Sequence, residues 1–311
     1  MRTVIITNCT NRKRMSGSLR VTFEPSDCES LTMMAALWAQ KVKAHEPLVQ
    51  AGSLYVGRSV QEAFKVARAL KAELMFASTG MGLIPSDGLC PLYDLTVAEG
   101  AGSIRLKLNE FGASPRDWWD AINTQYNQPY PIKELAGSPD VGLILIALSA
   151  NYIDLIANDL AQINAVDAAK IRIFTSRPGI IHLPEHFKHV AMPYDERLES
   201  SRIAGTRNDY PQRAMLHFIE DLNLAFQPIT VARHTVNEAM DRLQTVSKVA
   251  RRRVTDQEVL TLLKEVWASY GGSSTRLLRY LRDEAKVACE QSRFRTLWSQ
   301  LKDGAASRGE A

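Results

Sequence analysis

The stretch Val141–Ser149, read Val-Gly-Leu-Ile-Leu-Ile-Ala-Leu-Ser, constrains this chain more than any other. It is apolar at nearly every position, so it has no face to offer to water. A strand of that kind suits a parallel sheet covered on both sides, because a strand with one wet face alternates instead. The run is far short of the roughly 20 apolar residues that span a bilayer. Thr3–Asn8, Leu74–Ala77 and Lys170–Ser176 read as further strands, and His189–Pro193 as a fifth. Between them lie helical spacings: Leu31–Val49, Val60–Leu70 with Ser59 as N-cap, and a helix opened by Ser114 and Pro115. An amphipathic helix follows Ser149, and another covers Pro211–Phe226. This alternation predicts an α/β fold over residues 1–228, with a mostly parallel central sheet flanked by helices.

Residues 229–311 read differently. A charged helix after Pro228 leads to Arg251, Arg252 and Arg253, and Thr255–Leu301 then reads as three helices. In the second of them Arg276, Arg279 and Arg282 share one face, and Leu277, Leu278 and Leu281 form the other. A short turn (Gly271–Ser274) before an arginine-striped helix has the general shape of a helix-turn-helix, although small basic bundles also serve other roles. Charge distribution agrees: from Arg233 onward there are 15 basic against 10 acidic residues, while the 23 and 24 before it cancel. A local basic surplus is a mild pointer to a polyanionic partner, although a solvated helical face explains much of it. The expected organisation is an α/β catalytic domain, 1–228, and a basic helical DNA-binding module, 229–311. The tail, 304–311, reads as disordered.

Chemistry is expected in the loops that leave the strands. Cys9–Gly17 is polar and basic, and after a first parallel strand it is either a holder of a phosphate or a base or a surface loop that merely happens to be basic. Ala77–Thr96 breaks at Gly80 and Gly82, where backbone amides can approach a ligand, and it ends in Pro91-Leu92-Tyr93-Asp94. Asn151 either reads a ligand edge or caps its helix. In Ser200–Tyr210, Arg202 and Arg207 surround a glycine ahead of a helix N-terminus, which makes either an anion cradle or a loop capped by Asp209. Trp118 and Trp119 are adjacent on a helix, so at least one of them serves packing. The chain lacks a phosphate-binding P-loop, a Gly-x-Gly-x-x-Gly unit, a Gly-x-Ser-x-Gly elbow and a His-x-Glu with paired cysteines. These absences argue against the enzymes those motifs mark. Cys9, Cys28, Cys90 and Cys289 share no metal-ligand spacing, so no metal, cofactor or disulfide framework is expected. A strand-like run beginning at Thr3 leaves no signal-peptide pattern, and a cytoplasmic location is expected.

Three of these segments together resemble a known family. Thr7-Asn8-Cys9-Thr10-Asn11-Arg12-Lys13 is similar to its Ser-Cys-Ser-Lys-Arg-Lys type opening. Gly80-Met81-Gly82-Leu83-Ile84-Pro85 is similar to its second strand exit, and Pro91-Leu92-Tyr93-Asp94 to its Pro-Tyr-Asp signature with Leu92 inserted. The family is the YaaA-like group, related in fold to uracil-DNA glycosylases and to a domain of archaeosine synthase. Its members occur in systems that handle modified nucleobases, including 7-deazaguanine DNA modification and conflict between phages and bacteria.

The resemblance implies a DNA glycosylase that excises a modified base, for example from hypermodified phage DNA. Breaking an N-glycosidic bond builds oxocarbenium character that a carboxylate stabilises while it orients water. The base must leave the stack and be read by amides against an aromatic face. On this reading Asp94 and Asn8 are catalytic. Tyr93, Asn151, Ser149, Gly80, Met81 and Gly82 bind the base, and Arg12, Lys13, Arg202, Arg207, Arg276 and Arg279 bind DNA phosphates. The alternatives are a transferase or hydratase that modifies 7-deazaguanine-type bases in DNA, and a DNA-binding protein without catalysis.

Overall fold

The structure is a computed structural model that describes residues 1–14, 20–22, 28–100, 102–245 and 251–306. The end of the basic loop (15–17) and the tail from 307 lie outside the described residues. In chain order the strands are β1 (Arg2–Asn8), β2 (Val21–Thr22), β3 (Leu48–Gln50), β4 (Glu73–Ser78) and β5 (Gly82–Pro85). β6 (Leu89–Pro91), β7 (Tyr93–Asp94), β8 (Val141–Ala147) and β9 (Ile171–Phe174) follow. The helices are α1 (Leu31–Lys43), α2 (Ala51–Leu54), α3 (Arg58–Leu70), α4 (Arg105–Glu110), α5 (Pro115–Gln125) and α6 (Pro131–Gly137). After them come α7 (Ala150–Ala161), α8 (Ala165–Ala168), α9 (Arg177–His182), α10 (Tyr210–Leu216) and α11 (Ile229–Asp241).

A five-stranded sheet runs in the order β5-β4-β1-β8-β9. β1 pairs in parallel with both β4 and β8, and β8 with β9, while β5 returns antiparallel to β4. Val4, Ile5 and Ile6 of β1 and Ile144, Leu145 and Ile146 of β8 are completely buried. Both faces of these strands are therefore covered, as their unbroken apolar runs require. α3 and α10 pack together over β1, β4, β8 and β9, and α1, α5, α7 and α9 pack in a second row. Crossovers in parallel sheets are right-handed, so connections running in opposite directions along the sheet put α3, which leads into β4, and α7, which leads towards β9, in different rows, while α1 joins the α7 row. The chain goes first from β1 to β4 on one side and then to β8 on the other. The crevice between the carboxyl ends of β1 and β8 is thus a topological switch point, where sheets of this kind bind ligands.

Several local expectations change. Leu31–Val49 is helical only to Lys43, ahead of Pro47, which cannot continue a helix. Helix α3 begins at Arg58 after Gly57, whose φ of 133° suits only glycine, so Ser59 lies inside the helix instead of capping it. Ser114 does cap α5: its hydroxyl accepts from the Asp117 amide and the Asp117 carboxylate accepts from the Ser114 amide, a capping box with Pro115 inside it. The expected strand at 189–193 is absent. Residues Glu185–Val190 form a 3₁₀ turn that buries Phe187 and Val190, and a single bridge joins Ala191 to Ile173.

Asp159 of α7 fixes how α6 begins. Its carboxylate accepts from the amides of Ile132 (3.0 Å) and Lys133 (2.9 Å) and from Trp119 Nε1 (3.3 Å). Burial outweighs these bonds and pushes the Asp159 pKa from 3.8 up to about 6. The folded chain therefore holds a proton that the unfolded chain releases, and this contribution to stability declines as pH rises from about 4 to about 6. The expected decline is about 3 kcal/mol at most. Urea unfolding at pH 4.5 and pH 7 should show it in the parent, and Asp159→Asn should flatten it.

The chain divides into two compact units, Met1–Val246 and Ser247–Ala311. Helix α11 buries Ala232, Val236 and Met240 in the same core as the sheet, so the first unit extends past the boundary expected at 228. In the second unit α12 (Asp256–Val266), α13 (Ser274–Asp283) and α14 (Gln291–Ala306) enclose Val259, Leu263, Leu277, Leu281, Phe294 and Leu297. Thr255 caps α12 by accepting from the Glu258 amide (3.3 Å). Helix α14 continues to Ala306, into the stretch expected to be disordered. Among the described residues no helix is long and apolar enough to cross a membrane.

Candidate functional site

Strand β1 ends at Asn8, and the chain passes over the carboxyl edge of the sheet. Cys9 still follows strand geometry, with its amide on the Ala77 carbonyl (3.0 Å) and its Sγ 3.0 Å from Tyr152 Oη of α7. The loop then folds against residues 54–56. Thr10 Oγ1 donates to the carbonyls of Arg12 (2.8 Å) and Val56 (3.0 Å), and the Val56 and Arg14 amides donate to the carbonyls of Arg12 and Leu54. Lys13 forms an antiparallel bridge with Tyr55. This pinning turns the Lys13 side chain inward, where its Nζ lies 4.2 Å from the centre of the Tyr93 ring.

Beneath Lys13 is a closed cluster of hydroxyls. Tyr55 Oη and Tyr93 Oη are 2.6 Å apart, and Ser78 Oγ, at the end of β4, is 2.6 Å from Tyr93 Oη. Burial drives both tyrosines well above the ordinary phenol range, so they are neutral hydrogen-bonding groups. Ser78 Oγ also accepts from the amides of Gly80 (3.2 Å) and Met81 (3.0 Å). The Gly80 carbonyl accepts from Trp38 Nε1 (2.6 Å) and Tyr126 Oη (2.9 Å), and the Thr79 carbonyl from Trp118 Nε1 (2.7 Å). The expectation that Gly80, Met81 and Gly82 offer backbone amides to a base is corrected for the first two: those amides hold Ser78. The glycines serve close packing instead. A Cβ on Gly80 would lie 2.9 Å from both Trp38 and Tyr93, and one on Gly82 (φ 64°) would overlap Asn123.

Tyr93 is also corrected. Its ring is completely buried, with Trp38 and Tyr55 set edge-on at centroid distances of 5.9 and 6.5 Å and Lys13 over it. No face remains on which a base can stack, and its hydroxyl is committed to Ser78 and Tyr55. Asn8 is buried as well. Its Nδ2 donates to the Cys9 carbonyl (3.1 Å), and its Oδ1 accepts from Gln212 Nε2 of α10 (3.0 Å), which also reaches Thr7 Oγ1 and the Ala147 carbonyl. Asn8 therefore organises the β1–β8 edge and does not stand open to a substrate.

Asp94 remains available. Its residue is half-buried, and among the described residues no hydrogen bond or ion pair engages its carboxylate. Beside it the Thr96 amide donates to the Gly102 carbonyl (2.9 Å). Gly102 has φ 72°, and a Cβ there would stand 2.8 Å from Asp94 Oδ1, so only glycine lets the backbone pass this close. The Asp94 charge is felt by Lys13. Burial lowers the Lys13 pKa; Cys9, Asp94 and Cys90 oppose the shift and Arg20 adds to it. Burial, reinforced by Cys9, pushes the Cys90 thiol up to about 12.

Across the crevice, Ser149 is the half-buried N-cap residue of α7, with no side-chain capping bond. Asn151 is exposed, and its Oδ1 accepts from Arg105 Nη2 (3.2 Å), whose Nε donates to the Val97 carbonyl (2.5 Å). Arg12 is exposed on the β1 loop. The anion cradle is corrected: Arg202 is spent on Asp221 and Glu220, and Thr206 and Asp209 form a capping box beside an exposed Arg207. In the second unit Arg276 and Arg279 are exposed, but Arg282 turns inward onto the Cys289 carbonyl (3.1 Å), which narrows the arginine stripe to two. Sequence reasoning missed Tyr55, Ser78, Gln212 and Arg105, whose roles arise only through partners distant in the chain. All four cysteines are free and buried. Among the described residues no group of His, Cys, Asp or Glu side chains is arranged to hold a metal ion.

Comparison with protein-family models, with curated proteins and with solved structures finds no match to this chain.

Proposed function

We propose that this chain is a DNA glycosylase that cleaves the N-glycosidic bond of a modified nucleobase. The observation that carries the reading is the Asp94 carboxylate, half-buried and unengaged among the described residues, directly after Tyr93, whose hydroxyl meets Ser78 at the carboxyl end of β4 and whose ring lies under the Lys13 amine. A carboxylate in that setting stabilises the positive charge that develops on the sugar as the base departs. The neutral hydroxyl cluster of Tyr55, Tyr93 and Ser78 keeps the floor of the site rigid. Asn151 presents its amide nitrogen, unengaged among the described residues, to the edge of an extruded base, and exposed Arg12 meets a flanking phosphate. The Pro-Leu-Tyr-Asp and Asn-Cys-Thr-Asn-Arg-Lys segments that resemble the YaaA-like group supply several of these residues, which supports the same reading. The test is incubation with DNA carrying ordinary or hypermodified bases, followed by alkali to reveal abasic sites. Intact DNA in every case rules the reading out.

The second unit is the proposed DNA-binding module, with Arg276 and Arg279 on phosphates. Each phosphate contact contributes about one to the slope of log affinity against log salt. The double variant Arg276→Gln/Arg279→Gln is expected to flatten that slope by about two, measured by fluorescence anisotropy on a duplex oligonucleotide. An unchanged slope removes these residues from the interface.

A further inference from the structure

We propose that the Lys13 amine is the nucleophile of this site, attacking C1′ of the sugar in place of water and forming a protein–DNA Schiff base; the proposal rests on the N-glycosidic reading above. Among the described residues three lysines are half-buried, Lys13, Lys107 and Lys170, and the other two each have a carboxylate oxygen within 3.3 Å. Among the described residues no hydrogen bond or ion pair engages Lys13 Nζ, which rests over the Tyr93 ring. Its backbone is held by the bridge to Tyr55, so the amine is positioned by strand-like pairing even though it lies on a loop. Its half-buried setting favours the neutral amine against an ordinary lysine, and among the described residues the charged or titratable groups around it are Cys9, Asp94, Cys90 and Arg20, with Tyr93 under the amine and Tyr55 bridging its backbone. A desolvated amine is the form that attacks carbon. Cys9, the other nucleophile type nearby, is buried with its Sγ against Tyr152 Oη.

The step balances without a co-reactant. The nitrogen lone pair forms the N–C1′ bond as the glycosidic bond breaks, and its electron pair leaves with the base. The base takes up the proton that the attacking amine loses. A second donation from nitrogen opens the C1′–O4′ bond, O4′ gains a proton, and a C1′=N Schiff base results. Water then returns the amine and leaves an abasic site.

The test uses the full chain and a duplex oligonucleotide with one preformed abasic site, whose C1′ aldehyde needs no base recognition. Sodium borohydride reduces any Schiff base to a stable amine, and peptide mass spectrometry locates it. The expected result is an adduct at Lys13 that is absent from both Lys13→Met and Lys13→Arg, with both variants melting close to the parent. Trapping at Lys13 should also persist to lower pH than trapping of a surface lysine. No adduct, adducts scattered over surface lysines or the terminal amine, or an adduct that survives Lys13→Met overturns the proposal. The two readings fail separately. Base release that persists in Lys13→Met overturns the nucleophile and leaves cleavage by water. Trapping at Lys13 with no base released from any modified DNA supports the amine at C1′ and overturns the glycosylase.

Discussion

Replacing Arg213 with methionine is expected to lower the melting temperature of the chain by roughly 6–20 °C, from a loss of about 3–5 kcal/mol. The Arg213 side chain is fully buried. Its Nε donates to Asp209 Oδ1 (2.8 Å), its Nη2 to Glu199 Oε1 (2.6 Å) and the Thr206 carbonyl (2.8 Å), and its Nη1 to the Ile203 carbonyl (3.0 Å). Methionine fills comparable space but leaves the Asp209 carboxylate, only 6% exposed, without its closest counter-charge. Removing one partner of a buried pair costs far more than the pair contributes, because the other charge stays desolvated. The surrounding packing leaves little room for rearrangement, since a Cβ on Gly205 would lie 2.6 Å from Arg213 Nε and 2.7 Å from Arg58 Nη1. Differential scanning calorimetry checks the expectation. A shift of a degree or two would mean that the 199–209 loop is not held by this guanidinium.

Asp94→Asn is expected to reduce base release by about 10²–10⁴-fold, the range in which a carboxylate acting on a developing charge contributes. The substitution keeps shape and removes charge. Because nothing among the described residues bonds to this carboxylate, melting should change by less than about 0.5 kcal/mol in stability. Other carboxylates in or near the loops, Asp87, Asp154, Asp195 and Asp209, are accounted for by their surroundings. Asp154 is held by Arg116 (3.0 Å) and His182 (3.2 Å), Asp195 by Arg197 (2.7 Å) and Asp209 by Arg213. Asp87 sits in the turn after β5, whose partner Ser86 bonds the Leu74 carbonyl near the start of β4, at the opposite edge of the sheet. Retention of full activity by Asp94→Asn would move the chemistry elsewhere.

Much of the fold was legible because its signals are local. The unbroken apolar runs of β1 and β8 announce burial on both faces, and Ser114-Pro115 followed by Asp117 carries its own helix start. His189–Pro193 misled because so short an apolar run carries no periodicity: its first two residues end a 3₁₀ turn and only Ala191 bridges to the sheet. The candidate site was legible by segment and not by role. Tyr93 looked like a stacking surface until Trp38, Tyr55 and Lys13, from three other segments, closed around it. Asn8 looked like an open amide until Gln212, 204 positions away, engaged it. Lys13 read as one more cation in a basic loop, since nothing local reveals the bridge to Tyr55 that turns it inward. Asp94 kept its place because it is the one of these groups that no distant partner among the described residues claims.

The most direct measurement is mass-spectrometric quantification of free base and abasic sites after the chain is incubated with a panel of DNAs carrying hypermodified bases, 7-deazaguanine types among them. N-glycosidic cleavage predicts equal amounts of the two, both lost with Asp94→Asn. A new nucleoside retained in the DNA without free base, or no change in any modified DNA, would contradict it.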